Sequence, residues 1–242
     1  MILALFACEP GAIILKDDTG AVGDDTAIDE TGGDTVDTVD TVDTVDTGIE
    51  DVQMCGNMAG IAGEGTRWEY DPVMPQSTTT RERVVTSIDG DRVLVEDVQV
   101  TEGGNYSYTY TYVYDYLCDE SGMWLLGAQY LQESVSNGNV YTYAYDIGYN
   151  APVQVAPATV EFGSVWTSEY DGVYSYENGM ESPFTYTQLN TVVGADTMEL
   201  AIGEVTVYRV ISEMGGGATT TYYGEKVGLV QDSQWEIADY DP

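Results

Sequence analysis

Six tyrosines at alternate positions, Tyr106, Tyr108, Tyr110, Tyr112, Tyr114 and Tyr116, restrict what this chain can fold into more than any other stretch of it. A period of two belongs to a β-strand, whose successive side chains point to opposite faces, whereas a helix would scatter the same residues around its axis. Ser107, Thr109, Thr111, Val113 and Asp115 complete the second face. One face of the strand is therefore a ladder of flat rings with polar tips, and the other is small and polar.

The pattern recurs along the chain. Further strands are expected at Thr66 to Tyr70, Thr80 to Ile88, Arg92 to Thr101, Met123 to Glu133, Val140 to Tyr149, Ser164 to Tyr170, Phe184 to Val193, Met198 to Glu213, Thr219 to Tyr223 and Val227 to Asp232. Turn signals separate many of them, including Asp89-Gly90-Asp91, Gly103-Gly104-Asn105, Asn137-Gly138-Asn139, Asn178-Gly179 and Gly215-Gly216-Gly217. Amphipathic helical periodicity is scarce. Residues 53–242 thus read as one all-β domain, an antiparallel meander forming a curved sheet, a half-open barrel or a sandwich.

A weak internal repeat points to two duplicated halves. Gly65-Thr66-Arg67-Trp68-Glu69-Tyr70-Asp71 is echoed by Gly163-Ser164-Val165-Trp166 and, shortly after, Glu169-Tyr170-Asp171. Tyr116, Gly122 and Met123 are echoed by Tyr222, Gly228 and Leu229. The offsets are 98 and 106 residues, so the second copy needs extra residues in its loops.

Ahead of this domain the composition changes. From Glu9 to Asp51 there are 14 acidic residues, one basic residue (Lys16) and no aromatic one, with Asp-Thr-Val repeated from Asp34, Asp37, Asp40 and Asp43. Such a segment cannot bury enough apolar surface to offset its chain entropy, and regularly spaced like charges extend it. Residues 9–52 are expected to be a disordered tether spanning on the order of 35 to 40 Å or more. Calcium binding is a poor reading of the repeat, because Thr-Val pairs separate single carboxylates where a calcium loop alternates its ligands.

The tether begins just after Leu5-Phe6-Ala7-Cys8, which resembles the end of a bacterial lipoprotein signal peptide. That resemblance implies that residues 1–8 are a truncated signal and that Cys8 receives the lipid. A full signal has a basic region and roughly 7 to 15 apolar residues, so the recorded start is expected to lie inside the true one. Similar Asp/Thr/Gly-rich tethers follow the lipidated cysteine of predicted lipoproteins in predatory and marine Gram-negative bacteria. The expected location is extracytoplasmic, lipid-anchored in the bacterial cell envelope and, in particular, its outer membrane. No later run reaches the length of a membrane-spanning helix, so the membrane is expected as a partner only through lipidated Cys8.

In an oxidising compartment the two remaining cysteines, Cys55 and Cys118, are expected to form a structural disulfide. Metal binding by the pair competes poorly, since the chain has no histidine and no close Cys-x-x-Cys spacing. No metal or cofactor is expected.

Charge and composition narrow the function. Forty-two acidic residues against seven basic ones leave a net charge of −35, which argues against nucleic acid as a partner. The absence of histidine removes Ser-His-Asp and Cys-His arrangements, and no glycine-rich loop leads into Lys-Ser or Lys-Thr. Carboxylates are so abundant that a pair at glycosidase spacing says nothing. No catalytic residue is assigned, and the protein is not expected to be an enzyme.

One further resemblance concerns the domain. Thr221-Tyr222-Tyr223-Gly224-Glu225-Lys226-Val227-Gly228-Leu229-Val230 resembles the closing strand pair of uncharacterised extracytoplasmic lipoproteins, with Lys226 departing from their pattern, and Gly163 to Trp166 resembles their opening Gly-x-x-Trp strand. The resemblance implies a half-barrel of the lipoprotein-carrier kind around an apolar concavity. Tyrosine rings suit stacking on sugars or gripping peptides at low entropic cost. The expected ligand face combines Tyr106, Tyr108, Tyr110, Tyr112 and Tyr114 with Tyr141, Tyr143 and Tyr145 on a neighbouring strand. The expected function is binding of a lipid, glycan or peptide; the alternative is a structural envelope lipoprotein with protein contacts only.

Overall fold

Alternation becomes twelve antiparallel strands in a computed structural model that describes residues 55–74 and 78–242. They are β1 (Arg67–Pro72), β2 (Thr79–Asp89), β3 (Arg92–Gly103), β4 (Tyr106–Asp119), β5 (Gly122–Ser136), β6 (Asn139–Pro157), β7 (Val165–Tyr176), β8 (Glu181–Leu200), β9 (Gly203–Met214), β10 (Gly217–Gly224), β11 (Gly228–Gln231) and β12 (Trp235–Asp241). Cys8 and the acidic segment 9–52 lie outside the described residues.

The meander closes. β1 pairs with β2 on one side, Trp68 opposite Arg83, and with β12 on the other, Trp68 opposite Tyr240, so the twelve strands form a closed barrel rather than the expected half-open barrel or sandwich. The closing strand is β12, which the sequence reading omitted because it is short and acidic. Its Trp235 and Ile237 nevertheless point inward and are buried. The stretch Met198 to Glu213 is likewise two strands, turning at Ala201 and Ile202 with Leu200 opposite Gly203. Those two turn residues carry none of the usual Gly, Asn or Pro signals.

Inward positions hold the core. Val93, Val207 and Val230 are completely buried, each contributing roughly 2 kcal/mol. One cluster gathers them with Trp68, Tyr70, Val85, Val95, Tyr116, Trp235 and Ile237; a second joins Met58, Val160, Trp166, Val192 and Val210. Outward positions carry charge, as in the Arg67 pairs with Glu69 and Glu82 and the Arg92–Asp115 pair.

The two ends differ. At one end, here the base, residues 55–66 cross the opening. Cys55 is bonded to Cys118 at the end of β4, 63 residues away, with their Cα atoms 4.4 Å apart, as expected from the cysteine count. Asn57 exchanges hydrogen bonds with Val160 through its side chain, both at 3.0 Å, and its carbonyl accepts from the Lys226 amide at 2.9 Å. Tyr240 donates to the Gly60 carbonyl at 2.9 Å, and Trp68 Nε1 donates to that of Val227 at 2.5 Å. Gly60 has φ +68° and lies so close to Val227 that a Cβ would sit 2.1 Å from its carbonyl, so only glycine fits there. The opposite end, the rim, includes the β3–β4, β5–β6, β7–β8 and β9–β10 hairpins and the β11–β12 turn, where the Val73 amide donates to the Gln234 carbonyl.

The internal repeat has structural counterparts. The Gly65 amide donates to Val85 and the Val85 amide to Thr66; the Gly163 amide donates to Val192 and the Val192 amide to Ser164. Thr66 Oγ1 accepts from Gly63, and Ser164 Oγ from Glu161, three residues back in each case. Bulges follow at Val85/Ser87 and Val192/Gly194. The extra residues of the second copy lengthen strands rather than loops alone, since β7 and β8 have 12 and 20 residues against 6 and 11 in β1 and β2.

The halves also differ at the β6–β7 boundary. Backbone pairing there stops at Tyr149 opposite Gly172. Nearer the base, side chains span the boundary: Asn150 donates to Asp171, Ser168 to the Gln154 carbonyl and Trp166 to the Val155 carbonyl.

Candidate functional site

Because Asp97 and Tyr112 face each other across β3 and β4, and Asp97 is buried inside the barrel, the tyrosine face of β4 is its inner face. Exposure falls along the ladder from 48% at Tyr106 on the rim to 7% at Tyr116 near the base. The expected partners Tyr143 and Tyr145 share this face, but β6 is not adjacent to β4. Tyr130 of β5 bridges them, its ring 4.9 Å from Tyr112 and 4.6 Å from Tyr145. Tyr141 stands at the rim, 60% exposed.

The aromatic wall extends further than the sequence suggested. Tyr145 meets Tyr174 and Tyr176 of β7 at 5.4 and 5.7 Å, Tyr174 meets Phe184 of β8 at 4.5 Å, and Tyr170 stacks on Tyr186 at 4.5 Å. Ring contacts therefore run across five consecutive strands, β4 to β8. Tyr174 and Tyr176 alternate with Gly172 in the manner of the first ladder, a signal present in the sequence but shorter.

Beside this wall, on β2 and β3, lies a group that sequence reasoning missed. Arg81 and Arg83 of β2 point inward two residues apart and share the single carboxylate of Asp97. Asp97 is 1% exposed, and the two guanidinium side chains 12% and 16%. Arg81 binds the carboxylate through Nε at 3.0 Å and Nη2 at 2.5 Å. Its guanidinium also lies over Tyr70 and Trp235, while that of Arg83 lies over Trp68 at 5.5 Å. The available signal was two of only seven basic residues at i and i+2 in an expected strand, which places both on one face.

Between these groups and the base is a chamber of about 220 Å³. Its lining includes Trp68 of β1, Arg83 of β2, Tyr116 of β4, Tyr170 of β7, Gln188 and Asn190 of β8 and Ser212 of β9, together with Met58 and Ile61 of the basal segment. A larger hollow of about 540 Å³ lies over strands β3 to β7, but it is open and most of its lining, including Glu96, Thr111, Val113 and Asp146, faces outward. The chamber is the better site because it is the less open of the two and has convergent polar groups on apolar walls.

Burial keeps the lining phenols neutral. It raises Tyr116 and Tyr223 to about 12, against which the Arg83 charge pulls down, and it raises Tyr114 well above the ordinary tyrosine value. Both described cysteines are tied in the disulfide. Among the described residues no group of three or more His, Cys, Asp or Glu is placed to hold a metal. The interior offers flat rings for stacking and neutral and cationic donors for hydrogen bonds.

No family model matches the chain, and no curated protein matches it. Among solved structures, a crystal structure from Parabacteroides distasonis described as a "putative lipoprotein" aligns at 11% identity, covering 78% of this chain and all of that one, with a TM-score of 0.32. A likeness that loose assigns neither fold nor function.

Proposed function

We propose that this protein is a non-catalytic binding module of the bacterial cell envelope, held to the outer membrane by lipid on Cys8 and receiving a lipid, glycan or peptide into its tyrosine-lined barrel. The observation that carries the reading is the continuous aromatic wall across β4 to β8, graded from exposed at the rim to buried beside the basal chamber. A wall needed only for packing has no reason to continue to the rim, where Tyr106, Tyr141 and Tyr143 remain 48 to 60% exposed. The anchor reading rests on Leu5-Phe6-Ala7-Cys8 and the acidic stretch after it.

Native mass spectrometry of the full chain purified from its own envelope tests the binding reading. A stoichiometric adduct that dissociates on denaturation is expected; an adduct-free spectrum under gentle extraction overturns it in favour of a structural role. Labelling with an alkynyl palmitate analogue, lost in Cys8→Ser, tests the anchor independently, and absence of label from the native chain overturns that part.

A further inference from the structure

The two halves of the barrel place the same architecture around different chemistry. In the first half, Trp68 faces Arg83 across β1 and β2, and Arg83 faces Asp97 across β2 and β3. In the second, Trp166 faces Asn190 across β7 and β8, and Asn190 faces Ser212 across β8 and β9. Tyr70 opposite Arg81 corresponds in the same way to Ser168 opposite Gln188. A charged cluster and a neutral one therefore occupy equivalent positions, and both contribute to the lining of the basal chamber.

The neutral cluster is closed on itself. Gln188 and Ser212 both donate to Asn190 Oδ1 at 2.7 Å, Asn190 Nδ2 donates to Ser168 Oγ at 3.1 Å, and Ser168 donates to the Gln154 carbonyl at 2.6 Å. The charged cluster is not. Asp97 is committed to the fork of Arg81, which also has Asp232 at 3.9 Å. Arg83 reaches the same carboxylate only through Nε at 3.4 Å, without hydrogen-bond geometry, and that buried nitrogen has no hydrogen-bond acceptor. A guanidinium does not deprotonate in a protein, so its charge persists inside the barrel. The phenols around it stay neutral and supply no counter-charge. Arg81 thus draws two carboxylates, Asp97 and Asp232, while Arg83 on the chamber wall has no hydrogen-bonded carboxylate of its own.

We infer that the chamber is a monoanion site, in which Arg83 holds a carboxylate whose short apolar body packs between Trp68, Tyr116 and Tyr170. This rests on the reading of the barrel interior as a binding site and specifies what part of a ligand reaches its base. A carboxylate suits the site better than a phosphate monoester, because a single charge matches the one guanidinium that lines the chamber, while nearly two would be repelled by Asp97 beside it. The aromatic walls and a volume of about 220 Å³ suit a flat or slim body.

Isothermal titration of the full chain with hexanoate and 1-hexanol, equal in length and different in charge, tests the assignment at pH 7. The strongly acidic domain by itself disfavours hexanoate, so a preference for it requires a cation in the site. Hexanoate is expected to bind about tenfold or more tightly than hexanol. Arg83→Gln is expected to remove that preference while retaining hexanol binding. If circular dichroism shows that this variant is unfolded, the preference of the native chain decides alone. Equal affinities, or tighter binding of hexanol, overturn the monoanion site and leave interior binding standing. Failure of both probes to bind also overturns it, and the native mass spectrum then decides separately whether interior binding survives.

Discussion

Replacing Asp97 by Asn exposes how much the barrel depends on its one deeply buried carboxylate. The substitution keeps side-chain volume but removes the negative charge between Arg81 and Arg83, together with one of the two oxygens that accept from Arg81. Asp97 is 1% exposed and its partners are 12% and 16% exposed, so solvent screens little of the loss. Breaking a buried ion pair by removing one partner costs about 3 to 5 kcal/mol, because the remaining charge stays desolvated. With a urea dependence of about 2 kcal/mol per molar, a loss of about 4 kcal/mol moves the unfolding midpoint down by about 2 M. Trp68 and Trp235 stack under the two guanidiniums, so their fluorescence, together with far-ultraviolet circular dichroism, follows the transition.

The same cycle separates charge from shape. In the Asp97→Asn background, Arg83→Gln removes one of two facing cations and is expected to recover at least about 1 kcal/mol. A midpoint shift worth less than about 1 kcal/mol for Asp97→Asn, or a double variant no more stable than the single one, would refute the view that this carboxylate offsets two buried guanidiniums.

Three other outcomes follow from the geometry. Converting Cys55 and Cys118 together to Ser opens a 63-residue link and is expected to cost about 4 kcal/mol; a loss under about 1 kcal/mol in calorimetry of the pair contradicts the chain-entropy argument. Gly60→Ala drives a methyl into the Val227 carbonyl at a positive φ, so it is expected to cost more than about 2 kcal/mol and to speed proteolysis within residues 55–66; unchanged cleavage argues against that segment as a closure of the base. Burial raises Tyr116 and Tyr223 to about 12 against 10.0 in the unfolded chain. Above pH 10 the unfolded state loses these protons first, so the stability they contribute is complete below pH 10 and falls as pH rises through about 12. Denaturant midpoints measured from pH 9 to 12 should fall, with phenolate absorbance lagging until unfolding; a flat profile contradicts the burial of these rings.

Much of the wall could be read from the chain because alternation is local. A period of two assigns a face to every residue of a strand, so Tyr106 to Tyr116 were necessarily one wall, and Tyr143 and Tyr145 were necessarily on one face of β6. What alternation leaves open is which strands meet and which face turns inward. Tyr130 became the bridge between the two ladders only because β5 lies between them, and no property of Tyr130 in isolation marks it. β12 escaped notice for a related reason. A short acidic strand becomes recognisable when Trp68 faces Tyr240 across the closing seam.

The amino-acid sequence by itself determined the all-β class, the antiparallel meander, the tyrosine face and a pair of cysteines suited to one bridge, since each depends on spacing, turn chemistry or count. Closure and the site at the base were decided only by tertiary structure. A barrel closes when its first and last strands reach each other in register, which couples residues at opposite ends of the domain. The incomplete pairing of Arg83 is likewise a property of three dimensions: in a chain with 42 acidic residues, this cation lacks a hydrogen-bonded carboxylate only because the folded interior places Asp97 beside it in the grip of Arg81.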